Sequence, residues 1–227
     1  MQGKGWVNCT CVQYGAKIQT EHKDNSPSLY TARVKHIQNV VGTFSWYARA
    51  SEPTMAHTLS SIASHQSKGT EKLEEEVSHF LDYCATHPNS VVRFMNSDII
   101  LAIHSDTSYL YEPESKSRAA GHFYMSKNKD EIFNNGAVMK LSNIIKHTID
   151  SASEAETAAL FYNCKAAIPL RLTLEEMRHP QPKTPVTSEN TAALGLIKKI
   201  MIPKSAKSYD IRFNFLKYRQ VQNQILT

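Results

Sequence analysis

Three acidic residues stand at points of the sequence where a fold could bring their side chains together. Asp106 follows the apolar run 99–103, Glu156 lies near the start of a long helical pattern, and Glu189 ends a short strand pattern. The apolar run predicts a strand buried on both faces, and such strands commonly present a metal ligand or a catalytic acid at their ends. Asp also begins turns, so Asp106 by itself leaves both interpretations open.

Carboxylates that meet at one edge of a sheet repel one another unless a cation lies among them. Ligands that offer only oxygen suit Mg²⁺ or Mn²⁺. Two such ions about 3.5–4 Å apart could activate a water molecule and stabilise the leaving oxygen in phosphodiester hydrolysis. Acids near strand ends and helix starts also occur because they cap those elements. The pattern alone therefore leaves metal binding and capping as alternatives.

The long helical pattern offers two acids near its start. Glu154 and Glu156 lie about 200° apart around a helix axis and cannot share a face. Glu156 falls on the apolar stripe of that helix, which should pack on the sheet, whereas Glu154 leads a stripe with charged residues. We therefore predict Glu156 as the contribution of this helix to the site.

The periodicity of the apolar residues predicts the elements that position these acids. Strands with short links indicate an antiparallel meander, and the helix after them indicates a right-handed crossover that places one further strand parallel to the central strand. We therefore expect an α/β fold with a mixed (α+β) sheet. The predicted helices are one that Thr31 opens and Pro53 interrupts, a second piece after Pro53, 71–86, 151–178, 190–200 and 209–224. The predicted strands are 91–94, a central strand ending at Asp106, 118–125, 137–145 and 184–189.

Domain organisation follows from the change of period along the chain. Residues 1–30 are polar and lack periodicity, so we expect an extended or disordered leader. A helical segment at 31–90 comes next, and the sheet-forming domain occupies 91–227.

Composition excludes several classes of protein. The chain has 227 residues, a net charge of +5 and a pI near 8.9, which suit a globular protein and permit a polyanionic partner. Its four cysteines are too scattered for a disulfide framework or a zinc site, so we interpret them as reduced thiols. No apolar run approaches the ~20 residues needed to cross a membrane. We therefore expect an intracellular protein, cytoplasmic or nuclear, without membrane or signal segment.

Basic residues near the end of the sequence form a candidate nucleic-acid surface, with a solvated helix face as the alternative. A basic strip beside a hydrolytic site would hold phosphates through salt-sensitive contacts. The members of this predicted strip are Lys198, Lys199, Lys204, Lys207 and Arg212.

His122, in the middle of a predicted strand, is interpreted as a packed residue rather than a ligand. His104 cannot form a triad with Ser105 and Asp106, because neighbours along a strand point in opposite directions.

Five stretches of the chain resemble one known family, the ribonuclease H region of copia-type LTR retrotransposon Pol polyproteins. Each stretch is short, but their order and spacing together are specific, and the likeness runs from about Tyr14 to the C-terminus. Residues 31–87 resemble the end of the reverse transcriptase connection in such polyproteins. The stretches are 40–50 (VVGTFSWYARA), 104–110 (HSDTSYL), 151–160 (SASEAETAAL), 179–185 (HPQPKTP) and 209–213 (YDIRF).

This resemblance implies a ribonuclease H-like fold that cleaves RNA in an RNA–DNA hybrid with two Mg²⁺ ions. Asp106 matches the first metal-bridging aspartate of the family, and Glu156 matches the glutamate on the crossover helix. The third acid of the family is an aspartate followed by asparagine, whereas this chain has Glu189 followed by Asn190. The fourth acid lies beyond a further strand, and this chain stops at Thr227.

From these departures we expect a domain truncated at the C-terminus, without the last strand, whose nuclease activity is weak or absent. The chain would normally be part of a larger polyprotein with reverse transcriptase. Loss of the last strand would also leave 184–188 as an unprotected sheet edge. Two alternatives stay open: an active two-metal ribonuclease H, in which Glu189 substitutes adequately, and a non-catalytic remnant that binds nucleic acid through the basic strip.

Overall fold

The computed structural model describes residues 24–50, 52–89, 92–112, 115–127, 134–189 and 207–226. The predicted helix 190–200 and most of the predicted leader lie outside these ranges. The helices are α1 (Thr31–Ala50), α2 (Ala56–His65), α3 (Glu71–Thr86), α4 (Ala152–Glu176) and α5 (Lys207–Val221), and short 3-10 turns occupy Pro53–Met55 and Gln66–Lys68. The strands are β1 (Ile100–Glu112), β2 (Lys116–Ser126), β3 (Ala137–Ile145), β4 (Thr184–Thr187) and β5 (Ile225–Leu226). None of the described helices combines the length and apolar character needed to cross a membrane.

The sheet has five strands in the order β3-β2-β1-β4-β5. The first three strands along the chain form an antiparallel meander, and β4 lies parallel to β1 after the chain has passed through α4. The core between α4 and the sheet contains Leu101, Ile103, Phe123, Leu160 and Val186. The predicted mixed α/β sheet, with a meander and a parallel strand after the crossover helix, is confirmed.

The predictions that the last strand is missing and that β4 forms an open sheet edge are wrong. β5 pairs in parallel with the start of β4, where Thr184 lies opposite Ile225, and the backbone N–H of Thr184 donates to the carbonyl oxygen of Gln224 at 3.0 Å. Ile225 is buried in the same core as β1 and α4. A strand of two residues is too short for any periodicity to reveal. The turn before it needs Asn223 in the left-handed region, at φ 60°, which Asn adopts more readily than most residues.

The predicted strand at 91–94 is also absent from the part of it that the structure describes, since 92–99 lie outside any strand. The amide side chain of Asn135 holds this segment instead. It accepts a hydrogen bond from the N–H of Met95 at 2.8 Å and donates to the carbonyl oxygen of the same residue at 3.0 Å. Such a side-chain contact satisfies the backbone groups that a strand neighbour would otherwise satisfy.

Helices α1, α2 and α3 pack around a hydrophobic cluster of their own. This cluster includes Ile37, Val41, Leu59, Ile62, Val77 and Phe80. The predicted bounds of α3 are confirmed, and the hydroxyl of Thr70 caps it by accepting from the N–H of Leu73 at 3.3 Å. The division of the chain at residue 90 stays a prediction.

A buried arginine connects the helical part to the sheet. Arg118 on β2 is 2% exposed, and its guanidinium donates to both carboxylate oxygens of Glu112, with distances of 2.6 Å from Nε and 3.0 Å from Nη2. Its Nη1 donates to the hydroxyl of Ser60 on α2 at 2.6 Å. Bidentate pairing with Glu112 has well-defined geometry and holds the guanidinium in place. The hydrogen bond from Nη1 to Ser60 then fixes α2 against the sheet.

Candidate active site

Asp106 lies within β1, immediately beyond the point where β1 and β4 stop pairing. The last pair between these strands joins His104 and Thr187, whereas Asp106 lies opposite Ala120 on β2. The N–H of Thr107 donates to Oδ1 of Asp106 at 2.8 Å. Because Asp106 is inside a strand, it does not begin a turn, and its half-buried carboxylate lies where two parallel strands diverge.

The first turns of α4 give its two acids different roles. The hydroxyl of Ser151 caps the helix by accepting from the N–H of Glu154 at 3.1 Å, and the Glu154 carboxylate accepts from the N–H of Asp150 at 2.9 Å. Arg212 on α5 also approaches this carboxylate, with 3.9 Å between Nη1 and Oε1. Glu154 therefore stabilises the helix start, whereas Glu156 is 3% exposed and lies among the buried residues of α4.

The electrostatics of Glu156 show which groups surround it. Burial and then the negative charge of Asp106 raise the pKa of Glu156 to about 7, with a smaller raising effect from Glu189. The hydroxyl of Ser188, just after β4, donates to Oε2 of Glu156 at 3.3 Å and opposes this pKa shift. The fold therefore brings the charges of Asp106 and Glu189 close enough to act on Glu156.

The described residues do not form a complete metal site. Within those ranges, no group of three or more His, Cys, Asp or Glu side chains is placed so that it could hold a metal ion. Glu189 is exposed at a bend after β4. Asp106 and Glu156 offer the oxygen ligands that suit Mg²⁺ or Mn²⁺. That all three acids bind one ion stays a prediction.

Most of the predicted basic strip lies outside the described residues. Lys198, Lys199 and Lys204 are not described, and of Lys207 only the backbone is described, as the first residue of α5. The Arg212 side chain is 14% exposed and faces Glu154 on α4. The role of the strip in nucleic-acid binding stays a prediction.

The sequence patterns did not predict the polar contact that joins α4 to the sheet beside Asp106. The side-chain amide of Asn163 donates to the hydroxyl of Ser105 and to the carbonyl oxygen of Ala120, both at 2.8 Å. Gly121 makes this approach possible, because a Cβ atom there would lie 2.1 Å from Oδ1 of Asn163. A glycine inside a predicted strand was the one signal for this close approach.

A second missed residue is Gln181, which extends the hydrogen bonding at the start of β1. Its side-chain oxygen accepts from the N–H of Leu101 at 3.0 Å, and its side-chain nitrogen donates to the carbonyl oxygen of Ile99 at 2.9 Å. An amide side chain can satisfy one donor and one acceptor of a strand in this way. Gln181 therefore helps to hold the strand that carries Asp106, and no pattern in the sequence marked it.

Comparison with known proteins adds a likeness in fold. No protein-family model matches the chain, and no curated protein sequence matches it. Among solved structures, the chain is similar to LC11-RNase H1 in complex with an RNA/DNA hybrid, with a TM-score of 0.40 and 12% sequence identity over 55% of this chain and 78% of that chain. The architecture of this chain is a mixed α/β sheet, in which an antiparallel meander, a crossover helix and parallel strands beside β1 follow one another.

Stability should fall as the pH rises through the range in which Glu156 ionises. Its pKa is raised from 4.5 to about 7, so between these values the native state binds more protons than the unfolded state. The variant Glu156→Gln lacks this ionisation, and at pH 8 in a chelator we expect it to exceed the wild type by about 2–3 kcal/mol in free energy of unfolding. At pH 4 the advantage should disappear. Urea unfolding at the two pH values measures both quantities.

The matched control is Glu154→Gln, which changes the neighbouring acid of the same helix. The amide of this variant would keep an acceptor for the N–H of Asp150 but lose the attraction to Arg212, so we expect a loss below about 1 kcal/mol in the free energy of unfolding at pH 8. Equal stability of Glu156→Gln and the wild type at pH 8 would contradict the buried, charge-repelled environment assigned to Glu156.

Proposed function

We propose that this chain is a ribonuclease H region of a copia-type LTR retrotransposon Pol polyprotein, with weak or no cleavage of RNA in RNA–DNA hybrids. One observation carries the proposal. Asp106 on the central strand lies close enough to Glu156 on the crossover helix for its charge to raise the pKa of Glu156, as expected for the first two acids of such a nuclease, while the third position holds Glu189. The five stretches that resemble this family, in their order along the chain, and the mixed sheet both support it.

In this proposal Asp106 and Glu156 hold a divalent cation, Mg²⁺ or Mn²⁺. The ion, when bound, would supply an activated water molecule and stabilise the leaving oxygen of the phosphodiester. The residues of the chain do the positioning. The hydroxyl of Ser188 fixes one oxygen of Glu156, and the side chains around Asn163 hold α4 against β1.

The altered third acid supports weak activity rather than full activity. Glutamate is one methylene longer than aspartate, and a misplacement of ~1 Å can lower a rate about 10²-fold. Glu189 is also exposed. Both observations favour an impaired site over the active two-metal alternative.

The helical part fits the same proposal. We propose that residues 31–90 correspond to the tail of the reverse transcriptase connection in the parent polyprotein. Their own hydrophobic cluster and the contact of Ser60 with Arg118 support a compact segment that is attached to the nuclease-like sheet.

A hybrid-cleavage assay tests the proposed function. The purified chain and the Asp106→Asn variant are incubated with a labelled RNA–DNA hybrid in Mg²⁺ and then in Mn²⁺, and hybrid binding is measured in parallel. We expect slow cleavage by the wild type, at most about 10⁻² of the rate of an active ribonuclease H, and none by the variant. Fast cleavage that Asp106→Asn abolishes would establish the active alternative and overturn the impaired one. Absence of both cleavage and hybrid binding would overturn the proposal as a whole.

A further inference from the structure

We propose that His104 and His122 together bind one transition-metal ion, such as Ni²⁺ or Zn²⁺, through ligands other than the carboxylates of the candidate active site. The two residues lie directly opposite each other on the antiparallel strands β1 and β2. Opposite residues of such a pair have Cβ atoms about 4.5–5.5 Å apart. Two imidazoles at this spacing can reach a single ion at the usual metal–nitrogen distance of about 2.0–2.1 Å. The inference is independent of the proposed nuclease function.

Strand alternation places this pair on the face of the sheet opposite α4. Ser105 contacts Asn163 on α4, and neighbouring residues of a strand point to opposite faces, so His104 points away from that helix. His122 shares this face because it is the cross-strand partner of His104. Both histidines are partly exposed, so solvent can deliver an ion and water molecules can complete its coordination.

The hydrogen bond of His122 prepares the ring for a metal. Its Nε2 lies 2.9 Å from the carbonyl oxygen of Asn135. Because a carbonyl oxygen only accepts, Nε2 must carry the proton, which leaves a lone pair on Nδ1. Histidines that bind metals usually donate their other N–H to a carbonyl or carboxylate in this manner, and the donation fixes the orientation of the ring.

The carbonyl that orients His122 is itself held firmly. The Asn135 side chain accepts from the N–H of Met95 at 2.8 Å and donates to the carbonyl oxygens of Met95 and Met125 at 3.0 and 2.9 Å. This arrangement ties the segment before β1 to the end of β2. The imidazole therefore has a rigid support on the side away from the proposed ion.

The surroundings of His122 favour the neutral form of its ring. Burial lowers the pKa of His122, the hydrogen bond to the carbonyl oxygen of Asn135 opposes this shift, and the positive charge of Lys140 adds to it. The ring is therefore neutral at pH 7, which is the form that binds metal. Lys140 lies opposite His122 on β3, and Asp106 follows two residues after His104. Imidazole nitrogen selects Zn²⁺, Ni²⁺ or Cu²⁺ over Mg²⁺, whose ligands are oxygens.

The test is a Ni²⁺ titration of the full chain, followed by the ion-dependent rise in its thermal unfolding temperature. We expect His104→Ala and His122→Gln each to lower the Ni²⁺ affinity at least about tenfold, and the double variant to lower it little further, because both ligands serve one ion. The glutamine retains a donor for the Asn135 carbonyl, so loss of the hydrogen bond is not the cause. His79→Ala, which removes an exposed histidine of α3, should leave the affinity unchanged.

Two results would overturn this proposal. One is a Ni²⁺ affinity that neither His104→Ala nor His122→Gln changes. The other is an Asp106→Asn variant that loses as much affinity as the histidine variants, since that would assign the ion to the carboxylate site. Unfolding curves recorded in a chelator show whether each variant is folded before the ion is added.

Discussion

Replacing Glu189 by aspartate is expected to raise the rate of RNA cleavage in an RNA–DNA hybrid about 10²-fold over the wild-type chain. The shorter side chain would withdraw the carboxylate by one methylene toward the backbone, giving this position the aspartate of the family, and the pKa of Glu156 already responds to the charge at position 189. Neighbouring elements need not move, because Glu189 is exposed at the end of β4. The measurement is the initial rate of hybrid cleavage in Mg²⁺, with wild type and variant at equal concentration.

Two further variants show whether the gain depends on the proposed site. Glu189→Gln, which keeps the length of the side chain but not its charge, should give no gain. Glu189→Asp combined with Asp106→Asn should return the rate to background. A rate for Glu189→Asp within about twofold of the wild type would contradict the view that the third acid limits the reaction.

Replacing Arg118 by methionine is expected to lower the free energy of unfolding by about 3–5 kcal/mol. The substitution leaves the buried carboxylate of Glu112 without its bidentate partner and removes the donor to Ser60. A buried charge without a partner lowers the free energy of unfolding by far more than the intact ion pair raises it. Urea unfolding at pH 7 measures the loss.

Two further variants separate the effect of burial from the effect of charge on the free energy of unfolding. Arg33→Met removes a partly exposed ion pair with Glu74, and its cost should stay below about 1 kcal/mol. The double change of Arg118→Met and Glu112→Leu should recover most of the stability lost in Arg118→Met, since no buried charge remains. If Arg118→Met cost no more than Arg33→Met, the argument that Glu112 becomes an uncompensated buried charge would be wrong.

Local periodicity was enough to predict the elements that carry the site. The strand at 137–145 and the helix at 71–86 have the predicted bounds, because a regular apolar pattern and a capping threonine mark them. The helical phase also separated the two acids of α4, and the structure gives Glu154 the capping contacts and Glu156 the buried position. These are properties of neighbouring residues, which a sequence displays directly.

Contacts between distant segments could not be read in the same way. The two residues of β5 are too few to show a period. They form a strand because they pair with Thr184 and Pro185 of β4. Asn163 and Gln181 act through backbone groups that lie 43 and 82 positions away in the chain. How close the three acids come depends on where strands β1 and β4 diverge, which is decided by packing rather than by local pattern.

Mn²⁺ binding at the pair formed by Asp106 and Glu156 is the most direct measurement of whether these acids share one site. Titration of the chain with Mn²⁺, with free ion followed by electron paramagnetic resonance, gives the affinity of the wild type and of variants. We expect Asp106→Asn and Glu156→Gln each to lower that affinity at least about tenfold, and Glu154→Gln to leave it unchanged. Equal Mn²⁺ affinity in the wild type, Asp106→Asn and Glu156→Gln would show that the two acids do not hold a common ion.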